Sequence, residues 1–255
     1  MRPAATEIAG LAAQRPLAQP RTQTTVIRRM TDGFLRHWLL GLNLLLFTYV
    51  SVPWLAPVLM ETGQVSAARA VYWLYSTQCH QLPQRSFFLF GAQPSYSLSE
   101  IQEAGQATNN PFLLRQFVGN PLMGWKVAWS DRMVSMYTSM LAAGLLFSLA
   151  RRRMQPLPVW AFALLLLPMA LDGASHVVSN LAGIGNGFRD RNLWLATLTG
   201  GRLSLKFYAG DALGSFNSWM RLITGALFGG GVVGLVYPHL ERFAQETRAR
   251  LNGRS

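Results

Sequence analysis

Charge is scarce in this chain, and one sign dominates what there is. Of 255 residues only 13% are Asp, Glu, Lys or Arg, against roughly a quarter in ordinary soluble domains. The 23 Lys+Arg face 11 Asp+Glu, a net charge of +12, while half of all residues are hydrophobic. That balance excludes disorder for most of the chain and points to a bilayer as solvent. Cysteine is nearly absent: with Cys79 alone there is no internal disulfide and no CxxC metal or redox pair. Histidines number four, His37, His80, His176 and His239, and no GxSxG, HExxH, GxxxxGKS/T or HxxxH pattern occurs. The sequence therefore names no cofactor and no metal site. Nor does the basic excess mark nucleic acid as a partner, because the cations flank long uncharged runs instead of gathering on one aromatic-laced face.

Those runs are what the chain has in place of charge. Residues 38–60 carry none, and about 20 such residues at 1.5 Å each cross a hydrocarbon core of roughly 30 Å. Runs at 133–150, about 154–180 and 219–240 also qualify. The segment 70–91 is broken by Pro83 and Arg85 and reads as interfacial or re-entrant. The expected fold is all-α and polytopic: four transmembrane helices, one interfacial segment and two long outer loops. Residues 1–36 form a basic flexible tail, 37–241 the membrane domain and 242–255 a second basic tail. Six arginines in the first tail, Arg151–Arg153 and the arginines of the second tail fall on one side in a four-span arrangement. Cytoplasmic segments are the ones enriched in Lys and Arg, which places both termini in the cytoplasm of a cell whose plasma membrane holds the spans. The partner is then the lipid bilayer, with a homo-oligomer or a membrane-complex subunit left open. Tyr72, Trp73, Tyr75, Phe87, Phe88, Trp125, Trp129, Trp194 and Trp219 suit its interfaces.

Asp172 is the most informative residue, because it lies inside the third span, 13 residues beyond Val159 and so roughly 20 Å along the helix. A carboxylate at such depth costs at least about 2.5–3.5 kcal/mol on insertion scales and needs a partner or a wet cavity. Ser175, His176 and Ser179 share its face. Arg85, Arg132 and Arg221 are its candidate partners, so the set Arg85, Arg132, Asp172, His176 and Arg221 reads as a polar pocket open to the outer side; a plain salt bridge from Asp172 to Arg221 is the simpler alternative. Ser130 suits an N-cap and Asp131 the positive end of a helix dipole. Cys79 and His80 are the catalytic candidates, Cys79 as a thiolate stabilised by Arg85 or a histidine, with a buried structural thiol as the plain alternative. Gly225, Gly229, Gly230 and Gly234 form small-xxx-small pairs, for packing within the chain or between two copies.

Cys79-His80-Gln81 with Arg85-Ser86-Phe87-Phe88, the stretch from Lys126 to Arg132 and Tyr137, Pro168 to Gly173, and Arg221 to Gly229 together resemble a bacterial polytopic membrane-protein family, domain of unknown function 2085. The resemblance implies a multi-pass membrane protein and no established reaction. It also implies a cysteine at the place of Ser130 and an aspartate or cysteine at that of Met133, so a multi-thiol role in relatives does not carry over. Three readings follow: a pocket that binds a small ligand, a lipid headgroup or a partner subunit; a membrane enzyme or redox or metal protein using Cys79 with His80 or His176; and a structural subunit of a larger complex.

Overall fold

The computed structural model describes residues 21–105, 107–151 and 153–253, with side chains from Thr25 onward. Its elements run α1 (Arg21–Glu61), α2 (Val65–Ser76), a 3-10 turn (Pro83–Arg85), β1 (Ser86–Leu89), α3 (Leu98–Glu103), α4 (Pro111–Leu114), β2 (Gly119–Asn120), β3 (Gly124–Ser130), α5 (Asp131–Ala150), α6 (Val159–Asn180), α7 (Phe188–Arg191), α8 (Leu193–Leu198), α9 (Leu205–Tyr208) and α10 (Phe216–Leu251). Four helices, α1, α5, α6 and α10, are long and apolar enough to cross a membrane, as the sequence leads one to expect. The segment around 70–91 holds only the 12-residue α2 and then a turn and a strand; at about 18 Å that helix is too short to span.

The chain divides into two compact units, Leu39–Phe243 and the sequences flanking it. Within the flanking unit the tails differ from expectation. Residues 1–20 and 254–255 lie outside the described residues, but 21–36 and 244–251 are helical, as parts of α1 and α10. Extending an existing helix avoids the nucleation penalty, and Arg248 Nε sits 2.9 Å from Asp32 Oδ1, with Arg36 one turn on.

Inside the larger unit, prolines create the contacts that join the spans. Pro53 has no N–H for the carbonyl of Tyr49, and the Tyr75 hydroxyl donates to that oxygen instead, at 3.0 Å. Pro238 frees the Gly234 carbonyl in the same way, and Leu157 N fills it at 2.9 Å. Backbone groups at membrane depth need such replacements. Glycines set the helix spacing. A Cβ at Gly229 would meet Ser139 Oγ at 2.2 Å and Met136 O at 2.3 Å, and one at Gly225 would meet Arg132 O at 3.0 Å. This glycine pair is therefore used inside the chain, between α10 and α5. Arg151 and Glu241, 2.8 Å apart, tie the far ends of the same two helices.

Between α2 and α5 the chain builds a three-stranded antiparallel sheet, order β1-β3-β2, which the all-helical expectation lacked. Its register pairs Phe88 with Lys126 and Leu89 with Trp125. Gly124 allows it: φ is +72°, and a Cβ there would stand 2.1 Å from Leu89 O. β3 runs directly into α5, so Trp129 packs against Tyr49, Tyr75 and Tyr137 with ring centroids 5.0–5.3 Å apart. Several aromatics expected at the bilayer surface are thus core: Tyr72, Tyr75, Phe88 and Trp129 are buried, whereas Trp73, Trp194 and Trp219 remain exposed. For Tyr75, Phe88 and Trp129, ring packing in the interior outweighs an interfacial position, and the buried Tyr72 hydroxyl donates to the Lys126 carbonyl.

Candidate functional site

The start of α5, the last two turns of α6, the Pro83–Arg85 turn, α7, the loop before α10 and the first turns of α10 converge on one ionic cluster. Asp172 lies at its first centre. Arg132 Nη2 donates to its Oδ2, and Arg189 Nη2 to its Oδ1 at 2.6 Å. Arg189 also reaches Asn217 Oδ1 through Nε at 3.0 Å and Ser175 Oγ at 3.2 Å. α6 runs through Gly173 to Asn180, and Asp172 stands level with the first turn of α5. Its helix face is the predicted one: Ser175 donates to the Asp172 carbonyl, His176 Nε2 is 3.4 Å from Arg189 Nη2, and Ser179 Oγ accepts from Arg189 N.

Arg221 forms the second centre, and its partner is not Asp172. It holds Asp131 in a two-pronged pair, Nε to Oδ1 at 2.7 Å and Nη2 to Oδ2 at 2.8 Å, and reaches Asp211 Oδ1 through Nη1 at 2.7 Å. Arg85 Nε donates to Asp211 Oδ2, also at 2.7 Å. Asp131 is accordingly more than a dipole partner; it is buried and accepts from Ser218 Oγ as well. Ser130 takes the N-cap position but its hydroxyl makes no capping bond. Burial by itself raises the Asp211 pKa, yet the charges of Arg85 and Arg221 outweigh it and hold this carboxyl well below the usual carboxylate range.

Why does the sequence fold this way after α6? Gly187 passes so close to Ser179 that a Cβ would lie 2.1 Å from Ser179 Oγ, which turns α7 back onto α6 and drives Arg189 inward. Asn192, left-handed at φ 42°, donates to the carbonyls of Arg189 and Tyr208, and Asn217 Nδ2 donates to those of Arg189 and Gly210. These two buried amides satisfy a loop that would otherwise bury bare carbonyls.

All five predicted pocket residues, Arg85, Arg132, Asp172, His176 and Arg221, are brought into this cluster. Sequence reasoning missed Arg189, Asp211, Asn192 and Asn217. A signal existed for Asp211, since Asp190 and Asp211 are the only acids between residues 181 and 218. The cluster is closed at Asp131 and Asp211: no water-sized sphere fits among Gln84, Arg85, Ser95, Asp131, Asp211 and Ser218. Unused donors remain elsewhere. Arg85 commits only Nε and Arg132 only Nη2, and Arg132 Nε is buried with no partner. These are also the two most exposed arginines of the cluster, their side chains 15% and 22% accessible against 2% for Arg221 and 9% for Arg189.

Cys79 and His80 go elsewhere. Cys79 Sγ is 3.5 Å from Ser130 Oγ, accepts from Gln81 N at 3.4 Å and packs against the Trp129 core. His80 is exposed. No hydrogen bond or ion pair links Cys79 to His80 or His176, and no group of three or more His, Cys, Asp and Glu is poised for a metal, among the described residues.

No solved structure matches this chain. A relative, "Uncharacterized protein MJ1492" of the archaeon Methanocaldococcus jannaschii, is 24% identical over 151 residues, covering 56% of this chain and 74% of that protein. Residues 121–235, which contain Arg132, Asp172, Arg189, Asp211 and Arg221, match the model of the family described as "Predicted membrane protein (DUF2085)", the family that the sequence resembles.

Proposed function

We propose that this protein binds a small anionic ligand, a carboxylate or phosphate, at the ionic cluster, without catalysing a reaction. The observation that carries this reading is the set of unspent guanidinium donors on Arg85 and Arg132, at the two accessible edges of a network in which each arginine already meets a carboxylate. Arginine recognises such groups through paired N–H donors. Asp131, Asp172 and Asp211, with Arg189 and Arg221, hold the frame that keeps those two arginines in place. The arginine distribution supports a plasma-membrane location with both termini cytoplasmic and the cluster facing outward.

The test uses the purified full chain in detergent. Thermal unfolding is followed with short carboxylates, inorganic phosphate and sulfate, for the wild type and for Arg132→Gln and Arg85→Gln. The expected result is stabilisation by at least one of these anions that either substitution weakens about tenfold or more, as loss of a charge-assisted pair of roughly 1.5–3 kcal/mol requires. Equal stabilisation of wild type and both variants, or none by any anion, refutes it. Reporter fusions at Gly105 and Arg153 should report opposite sides of the membrane.

A further inference from the structure

A second group of cations lies outside the cluster, and no carboxylate answers it among the described residues. Beside Met60 in the last turn of α1, a groove of about 360 Å³ opens between α2 and the segment joining α4 to β2. Arg69, Trp73 and Ser76 of α2 line one side, at the i, i+4 and i+7 positions that share a helix face; Arg115 and Gln116 line the other, and Gln81 lies between. No Asp or Glu is among the lining residues. Neither the Arg69 nor the Arg115 guanidinium makes a hydrogen bond or ion pair among the described residues. Behind the wall, the buried Lys126 Nζ donates to the carbonyls of Gln81 at 2.9 Å and Arg115 at 2.6 Å. Two backbone oxygens that would repel an anion are thereby already engaged.

Both walls also carry apolar side chains turned outward. On α2 the buried face is Ala68, Tyr72 and Tyr75, yet Trp73 is 73% and Leu74 51% exposed; on α4 Phe112 is 70% exposed. Each arginine is therefore flanked by exposed apolar side chains, beside the end of a membrane span. A soluble anion has no use for that surface, whereas the boundary between headgroups and acyl chains does.

We propose that this groove binds the phosphate headgroup of an anionic phospholipid, with Arg69 and Arg115 clamping the phosphate and Trp73, Leu74 and Phe112 seated in the lipid around it. The site is separate from the ionic cluster, and its occupancy does not depend on the ligand proposed there.

Native mass spectrometry of the full chain in mixed micelles tests it, with short-chain phosphatidylglycerol, phosphatidylcholine and inorganic phosphate as probes. Phosphatidylglycerol should be retained over phosphatidylcholine. Arg69→Gln and Arg115→Gln should each weaken retention about fivefold, equivalent to roughly 1 kcal/mol per basic residue near an anionic surface, and the double variant about 25-fold. The double variant Arg69→Lys with Arg115→Lys, which keeps the charge but loses the paired donors, should fall between. Arg132→Gln should leave retention unchanged. Undiminished retention by a double Gln variant that unfolds at the wild-type temperature overturns the proposal. So does equal retention of phosphatidylcholine, which would mean apolar contact alone, or displacement of the lipid by inorganic phosphate, which would mean a soluble phosphoryl ligand.

Discussion

Two arginine-bearing regions of this molecule solve the same problem differently. In the ionic cluster every guanidinium has a carboxylate: Arg221 spans Asp131 and Asp211, Arg85 meets Asp211, and Arg132 and Arg189 share Asp172. In the groove beside α2, Arg69 and Arg115 have none among the described residues. Burial explains the difference. A charge withdrawn from water must be paired or pay heavily in solvation energy, whereas an arginine at the surface keeps its hydration and is free for a ligand. Paired charge here holds loops to spans; unpaired charge is what remains available for recognition.

The largest effect should come from breaking a buried pair on one side only. Arg221→Leu leaves Asp131 without its cation and Asp211 with Arg85 alone, and Asp131→Asn strips the two-pronged acceptor from Arg221. Either should destabilise the protein by about 3–5 kcal/mol, the range for an uncompensated buried charge, seen as a lower unfolding temperature and reduced yield of folded protein from membranes. The double variant Arg221→Leu with Asp131→Leu should recover part of the loss. If each single variant unfolds like the wild type, the pairing has no structural role and the contrast between the two regions fails.

How far was this legible in the sequence? The four spans were, because absence of charge over some 20 residues is a local property. Asp172 was too, since a carboxylate in an apolar run needs a partner. Of its two partners, Arg132 was among the candidates and Arg189 was not. Arg221 is equally close to the membrane boundary, but Arg189 reaches Asp172 only because Gly187 lets the chain fold back on Ser179, a contact that no periodicity encodes. The sheet was missed for a related reason: β1 and β3 are four and seven residues long, lie far apart in sequence and read as aromatic loop. Trp129 and Tyr75 share their composition with interfacial residues, and only tertiary packing distinguishes a core ring from a headgroup-level one.

Lys126 sits between the two regimes: fully buried like the cluster, but without a carboxylate like the groove. Burial, with a smaller opposing contribution from Cys79 and a reinforcing one from Arg115, pushes its pKa down to about 7. An unfolded lysine keeps its proton up to about pH 10.4, so between those values the unfolded chain carries more protons and raising the pH stabilises the fold. That gain is at most about 1.4 kcal/mol per pH unit from pH 7 to 10 and vanishes below 7. Unfolding measured across pH 6–9 should therefore show wild type gaining on Lys126→Met only above about pH 7. Parallel profiles for the two proteins would mean that the amine is charged throughout, and that an unpaired cation is tolerated in this core.

The smallest expected effect is the sharpest discriminator of the comparison. If Arg69 and Arg115 are held in reserve for lipid, removing them should leave the protein's own stability within about 0.5 kcal/mol of wild type in lipid-free detergent, as for surface substitutions away from any structural contact. The same variants should lose stability relative to wild type once phosphatidylglycerol is added, because only the wild type gains from mass action on the folded state. A loss already present without lipid would place these two arginines with the cluster, as structural cations whose partners arise within the fold. An equal gain from lipid in wild type and variants would locate the lipid contact on the apolar rim of Trp73 and Phe112, leaving the two charges without a part in it.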